Sequence, residues 1–325
     1  MLDDFLFIAE TKEECQRALD SFTELAAEIN LPLAVHKTVG PTKCLTFLGI
    51  QIDTEKGELS IPPEKIAKYT NDINVALKAD AISLTNLKSI TGKLQFVSCI
   101  VPVGRCFLRR LYDLTIGRTK FATIKLGVGA KDDLLTWLTF MHKYNAREVY
   151  KTRTKYSSVK DHVYSDASDL GYGASFGNGY FYGEFPEKWR KYDIQVREFF
   201  PILLLFTLQA PAFANGHVTI RTDNMSVASA INSQTSKNKT LMKLLRQLVF
   251  ILLKFNIKVA AYHIEGRKNT ITDALSRLEI NKALSLFLQL GYSPKAMTVP
   301  ASLRPANWCW LPKDTSLAPI GPPPC

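Results

Sequence analysis

Apolar and polar side chains alternate over residues 162–166, and segments 171–176 and 180–185 follow after glycine-bearing turns, so the three predict a meander of half-buried strands. From Asp193 the spacing lengthens to three and four, with Ile194, Phe199, Ile202, Leu205 and Phe206 marking a helix that contains Glu198. Pro201 lies inside that helix, where it removes an amide donor and is expected to kink it. Residues 218–222 return to a strand that stops at Asp223, and Asn224 is placed to cap a short helix through Val227, Ala230 and Ile231. A polar loop over 232–238 leads to a long helix carrying Leu241, Leu244, Leu245, Leu248, Phe250, Ile251 and Leu252. A strand over 257–263 and a glycine-containing loop over 265–269 precede a last helix with Asp273, Ala274 and Leu275. Three strands, a helix, a strand, two helices, a strand and a helix in that order make a mixed α/β layer with helices covering the sheet.

Upstream the pattern is mostly helical. A helix is expected over residues 11–30 and a strand over 45–52, followed by Gly57 and the pair Pro62, Pro63. Residues 64–115 read as helices through Ile66, Tyr69, Ile73 and Leu77, then Leu84, Leu87, Ile90, Leu94, Phe96 and Val97, with Ser83 and Thr85 as start signals. Beyond Leu290 the periodicity decays, and Pro294, Pro300, Pro305, Pro312, Pro319 and the run Pro322, Pro323, Pro324 predict an extended tail anchored only by Trp308 and Trp310.

Four acids, Asp166, Glu198, Asp223 and Asp273, fall where elements of the α/β segment begin or end. Converging carboxylates repel and raise one another's pKa, and a divalent cation offsets that repulsion. Oxygen ligands suit Mg²⁺, whose shell is commonly completed by water and substrate phosphate. Two such ions about 4 Å apart can activate water and stabilise the leaving oxygen of a phosphodiester displacement. Taken singly, each acid is as readily a helix cap or a solvated charge. Together they point to a metal-dependent nuclease.

The strings Tyr164, Ser165, Asp166, Ala167, Ser168; Arg197, Glu198; Arg221, Thr222, Asp223, Asn224; His263, Ile264, Glu265, Gly266 through Asn269; and Thr272, Asp273, Ala274, Leu275, Ser276, Arg277 carry a family resemblance. Residues 160–280 resemble the RNase H domain of retroelement reverse transcriptases, closest in order to the long-terminal-repeat and DIRS-type retrotransposons. The resemblance implies an RNase H-like mixed five-stranded sheet flanked by helices. It also implies two Mg²⁺ ions, or Mn²⁺ in their place, with Asp166 bridging both, Glu198 and Asp223 completing one and Asp273 the other. His263, ten positions before Asp273, corresponds to a histidine that assists product release or proton transfer without ligating metal; the alternative is a strand-end histidine with no role.

Asp3 and Asp4, followed by the apolar run Phe5, Leu6, Phe7, Ile8, resemble the paired aspartates at the hairpin of a reverse-transcriptase palm. The Phe47, Leu48, Gly49 strand and the segment 61–65 resemble the primer grip and thumb entry of the same enzymes. The expected organisation is therefore a palm remnant over 1–62, a helical thumb or connection over 63–150, an RNase H-like domain over 160–280 and a Pro-rich tail over 281–325. With the polymerase part incomplete and its upstream portion missing, no primer extension is expected, and hydrolysis is expected to survive removal of residues 1–150.

Composition agrees with a chain that acts on nucleic acid. At 325 residues and 46% hydrophobic it is long enough for two cores, and its formal net charge of +11 favours a polyanionic partner. Lys237, Lys239, Lys243 and Arg246 surround the start of the long helix as candidate phosphate contacts, although charge alone is not diagnostic, since basic surfaces also bind membranes. The expected partner is an RNA–DNA hybrid, read through its backbone and the 2′-hydroxyls of its RNA strand. The apolar runs near 199–208 and 248–253 fall short of the ~20 residues that span a bilayer, and no basic-then-apolar leader begins the sequence, so an intracellular, cytoplasmic or nuclear protein is expected. Cys15, Cys44, Cys99, Cys106, Cys309 and Cys325 show no paired zinc-ligand spacing. Two rivals remain: a catalytically inactive nucleic-acid-binding remnant of a transposable element, and an integrase-like transferase, against which the string from His263 to Arg277 speaks.

Overall fold

The computed structural model describes residues 4–145, 147–148 and 162–307. Helix α1 (Lys12–Glu28) starts at a capping box in which the Thr11 hydroxyl accepts from the Glu14 amide and Glu14 reaches back to the Thr11 amide. The expected strand over 45–52 is instead a hairpin, β1 (Cys44–Phe47) and β2 (Ile50–Asp53), with Phe47 opposite Ile50. Leu48 and Gly49 form its two-residue turn, both with positive φ (49° and 78°), which matches the twist of the flanking strands. Lys65 Nζ donates to the Gly49 carbonyl at 3.3 Å and lies over the Phe96 ring, tying the turn to the helices behind it.

Strand β3 (Glu58–Ser60) continues the sheet, and α2 (Pro63–Lys78) follows with proline at its first turn. Strand β4 (Ile82–Ser83) leads to α3 (Leu84–Val97), capped by Ser83, whose hydroxyl accepts from the Asn86 amide. Then come α4 (Arg109–Thr115), β5 (Thr123–Ile124) paired with β4, α5 (Val128–Lys143) and β6 (Arg147–Glu148). Strand β6 closes an antiparallel sheet of order β1-β2-β3-β6.

The second half follows the predicted order: β7 (Val163–Ala167), β8 (Gly171–Phe176), β9 (Gly179–Glu184), α6 (Ile194–Phe213), β10 (His217–Thr222), α7 (Met225–Ser233), α8 (Lys239–Lys254), β11 (Lys258–His263) and α9 (Thr270–Ser276). Helix α6 runs through Pro201 and Pro211, and among the described residues it is the one helix long and apolar enough to cross a membrane. Most of its apolar side chains are buried, with Phe200 against Tyr172 of β8. Two elements extend this half beyond expectation. Helix α10 (Ile280–Gln289) packs Ala283 and Phe287 with Leu275 and Tyr180, and β12 (Lys295–Ala296) pairs parallel to β9. The sheet therefore has six strands rather than five, in the order β11-β10-β7-β8-β9-β12. Residues 281–307, expected as the start of a Pro-rich tail, form this helix and strap instead. The strap covers an edge that would otherwise present unpaired amides, and it is pinned where Trp189 Nε1 donates to the Pro305 carbonyl at 3.2 Å. Trp308, Trp310 and the prolines after them lie outside the described residues.

One core runs from Ile61 to Ala261 through both halves. The Phe250 ring of α8 meets Phe107 at 5.4 Å and Phe140 of α5 at 6.5 Å. Beside them Asp133 of α5 is 3% exposed, 3.4 Å from Arg246 of α8 and 3.5 Å from Arg110 of α4. Arg246, read from sequence as a phosphate contact, is thus turned inward against Asp133 and the Phe107 ring. Residues 1–150 thus supply the rings that pack on Phe250 and the carboxylate that pairs with Arg246.

Burial raises the Asp133 carboxyl from 3.8 to about 6, the two arginines opposing the shift. A raised folded-state pKa means that the group's contribution is full below about pH 4 and is lost as pH rises through 6. Arg246→Ala leaves the buried Asp133 carboxylate with only Arg110 beside it and is expected to destabilise by up to about 3 kcal/mol at neutral pH and by clearly less near pH 4, where Asp133 is protonated. Urea unfolding at the two pH values checks this; an equal penalty at both would contradict it.

Candidate metal centre

Strand alternation in β7 turns Tyr164 and Asp166 to the face on which α9 packs. Opposite Asp166 in the ladder stands Gly173, where a Cβ would come within 2.4 Å of the Leu275 side chain. The missing side chain lets α9 settle on the sheet and brings Ser276 to Asp166. The Ser276 hydroxyl donates to Asp166 Oδ2, and the Ser168 hydroxyl donates to the Ser276 carbonyl at 2.7 Å. Asn269 fastens the start of the same helix, its Nδ2 donating to the Ser165 carbonyl at 3.0 Å.

Glu198 arrives from the opposite layer on α6. Its neighbour Arg197 donates from Nη1 to the Ser168 carbonyl and to Asp169, at 3.1 and 2.8 Å, locking α6 to the loop after β7. Asp223 follows the last residue of β10, and Asn224 caps α7 as expected, its Oδ1 accepting from the Val227 amide at 3.1 Å. Asp166, Glu198 and Asp223 each offer an oxygen within 4.8 Å of the others.

The electrostatics of this trio are unfavourable by themselves. Burial, then Asp166 and Asp223, push Glu198 up to about 9. Burial, then the charges of Asp223 and Asp273, hold Asp166 near 6 against the lowering effect of the Ser276 hydroxyl. Glu198 Oε2 and Asp223 Oδ1 are buried without a hydrogen-bond partner. Three carboxylates with two orphaned oxygens are the donor set of a hard divalent cation, and the residues present fit Mg²⁺ or Mn²⁺.

Of the other predicted residues, His263 reaches the site through Asp223: its Nε2 lies 3.1 Å from the Asp223 carbonyl, an acceptor, so that nitrogen carries the proton. Asp273 does not join the trio. Its Oδ1 accepts from Arg277 Nε at 2.8 Å, one helical turn on. Lys237 and Lys239 are exposed at the start of α8, and Lys243 is half-buried. Asp4 is exposed at the far N-terminal end, and Asp3 lies outside the described residues. Ser276, Ser168 and Asn269 went unassigned from sequence although all three stood inside the quoted strings; their hydroxyl and amide positions relative to Asp166 depend on how α9 lands on β8.

The fold and site together define a mixed α/β protein with a cation-fitting carboxylate cluster at its sheet. No protein-family model matches the chain. Over 298 residues it is 25% identical to a protein of Cassava vein mosaic virus named "Putative enzymatic polyprotein", a match covering 85% of this chain. The chain spans 42% of that relative's length. Looser structural likenesses connect it to the foamy viral protease-reverse transcriptase. One solved with double-stranded DNA, in its dRH form, has a TM-score of 0.39 at 16% identity and covers 79% of this chain and 44% of that one. One solved with RNA/DNA hybrid has a TM-score of 0.36 at 17% identity and covers 79% and 34%.

Because the folded-state pKa values of Glu198 and Asp166 lie above their ordinary 4.5 and 3.8, the pair's contribution to stability is full below about pH 4 and lost as pH rises through 6 and 9. A cation must displace those protons, so its stabilising effect grows with pH. The gap in Tm between Mg²⁺ and chelator is expected to be wider at about pH 8 than at about pH 5.5, and Glu198→Gln should narrow it. Differential scanning fluorimetry at both pH values checks this; a gap independent of pH would remove the trio as the binding site.

Proposed function

We propose that this chain hydrolyses the RNA strand of RNA–DNA hybrids, as the RNase H part of a retroelement reverse transcriptase. The single observation that carries this reading is the convergence of Asp166, Glu198 and Asp223 from a strand, a helix and a strand end. Support comes from the sequence relationship to a viral enzymatic polyprotein and from the match of the chain's own strings to the RNase H pattern. Divalent cations, when bound, supply the activation of water and the stabilisation of the leaving oxygen. The chain's residues do the rest. Asp166, Glu198 and Asp223 would hold the cation, and the Ser276 hydroxyl, donating to Asp166 Oδ2, steadies that carboxylate. His263, exposed and hydrogen-bonded at the rim, is placed to move a proton or to assist the product's departure. Asp273, whose Oδ1 is held by Arg277, would contribute its other oxygen to a second cation. Exposed Lys237 and Lys239 at the head of α8 contribute to holding the phosphate backbone of the hybrid. Selection of RNA over DNA rests on the 2′-hydroxyls displayed in the wide minor groove.

Asp166→Asn and Asp223→Asn retain shape but remove the charge that holds the ions, so cleavage of a labelled hybrid in Mg²⁺ is expected to fall by orders of magnitude while hybrid binding persists. His263→Ala is expected to cost about 10²-fold, as for a proton-handling group. Duplex DNA should bind at low salt and stay intact. Near-parental cleavage by either Asp variant would refute the assignment. Hybrid binding without cleavage by the parent chain, in Mg²⁺ or Mn²⁺, would favour the inactive-remnant reading.

A further inference from the structure

Across β10 and β11 the sheet presents its second face without the cover that α9 gives β7, β8 and β9. In β10, Val218, Ile220 and Thr222 point into the core, whereas His217, Thr219 and Arg221 on the other face are half-exposed. In β11, Lys258 and Tyr262 share that outer face and are exposed. The register places Tyr262 and Tyr164 on either side of Arg221. A ladder of cation and aromatic groups results. The Arg221 guanidinium lies 4.9 Å from the Tyr262 ring centroid, its Nε is 3.4 Å from His162 Nδ1, and the His162 ring is 6.4 Å from that of Tyr164. At its inner end His162 and Tyr164 line a 120 Å³ cavity with Lys268 and Thr270.

The ladder is in line with the carboxylates. Asp166 lies two residues beyond Tyr164 on the same face of β7, about 7 Å further along the strand, and Asp223 follows the end of β10 two residues after Arg221. Lys258 lies on the same outer face at the start of β11, Lys268 lines the cavity at the ladder's inner end, and Glu265 is paired with Arg267 and Lys268. Interior packing does not account for Tyr262, which is 51% exposed although its ring holds a guanidinium in place.

We propose that this open half of the sheet carries a single nucleic-acid strand passing the carboxylates, with Arg221 on a backbone phosphate and Tyr262 stacked beneath a base. The chemistry suits that occupant: a single strand alternates a negative phosphate with a flat π-face, and the surface alternates cations with rings. Arg221 is already oriented by Tyr262 and His162, so little side-chain freedom is lost when it meets a phosphate. This goes beyond the hydrolytic reading, because the surface needs a strand to bind and no bond to break.

The test is fluorescence anisotropy of a labelled oligothymidylate with the full chain in chelator, so the result does not depend on whether the carboxylates cut. Tyr262→Ala should weaken binding about five- to a hundredfold, the range for loss of one stacked base, and Tyr262→Trp should retain it. Arg221→Gln should weaken binding and flatten the log–log salt slope by about 0.7, the value for one single-strand phosphate contact. Thermal melts confirm that the variants fold; Tyr262 is exposed enough for its loss to be tolerated. Parental affinity and slope in folded Tyr262→Ala and Arg221→Gln would overturn the proposal. So would weakening confined to an RNA–DNA hybrid with the single strand unaffected.

Discussion

Mutual repulsion among Asp166, Glu198 and Asp223 is the constraint around which the second half of the molecule is arranged. Oxygens within 4.8 Å of one another in a buried setting would separate or take up protons unless the backbone fixed them. Each is fixed by a different device. Asp166 stands mid-sheet in β7 and accepts from Ser276, Glu198 is held on α6 beside the anchored Arg197, and Asp223 is trapped between β10 and the Asn224 cap. Gly173 makes the arrangement possible by letting α9 approach β8 closely enough for Ser276 to reach across. A divalent cation held by the trio would return the stability lost to this crowding, coupling ion binding to the integrity of the fold.

The first half supports this arrangement from behind. Phe107 and Phe140 close over Phe250 of α8, and Asp133 draws Arg246 inward, so the helix packed on α6 is braced on its far side by the chain's earlier helices. A buried ion pair contributes little net stability compared with apolar packing, but losing one partner is costly, and such a pair therefore fixes how the halves meet more than how strongly. The four-stranded sheet is attached in turn through Asn145, whose Nδ2 donates to the Ile61 carbonyl and whose Oδ1 accepts from the Ile61 amide, at 2.8 and 2.9 Å.

Much of this was legible in the sequence because local physics sets it. Strand alternation over 162–166, the Asn224 cap and the helical spacing of Leu241, Leu244, Leu245 and Leu248 are short-range signals that set the elements; a shared site for the four acids was implied by the family resemblance, and the structure brings Asp166, Glu198 and Asp223 together. Other features depend on partners distant in sequence. Arg246 looked like a surface cation because its mate Asp133 lies 113 residues away. Asp273 shares a helix with Arg277, and the one-turn spacing that pairs them competes with the role its position in the string implies. The Leu48–Gly49 turn was hidden because leucine seldom adopts positive φ, so an apolar run of strand-forming residues concealed a reversal. Strand β12 is only two residues long and exposed, and no hydrophobic pattern announces it; it exists because β9 offers an unpaired edge.

In the function proposed for this chain, Asp166, Glu198 and Asp223 hold a divalent cation where an RNA–DNA hybrid is cut. Anomalous scattering from crystals of the Asp273→Asn chain grown with uncut hybrid and Mn²⁺ addresses it most directly, since the substitution leaves the trio intact. A manganese peak liganded by Asp166, Glu198 and Asp223 and adjacent to a phosphate of the RNA strand is expected. A hybrid bound at this site with the three side chains free of metal, or manganese held elsewhere, would contradict it.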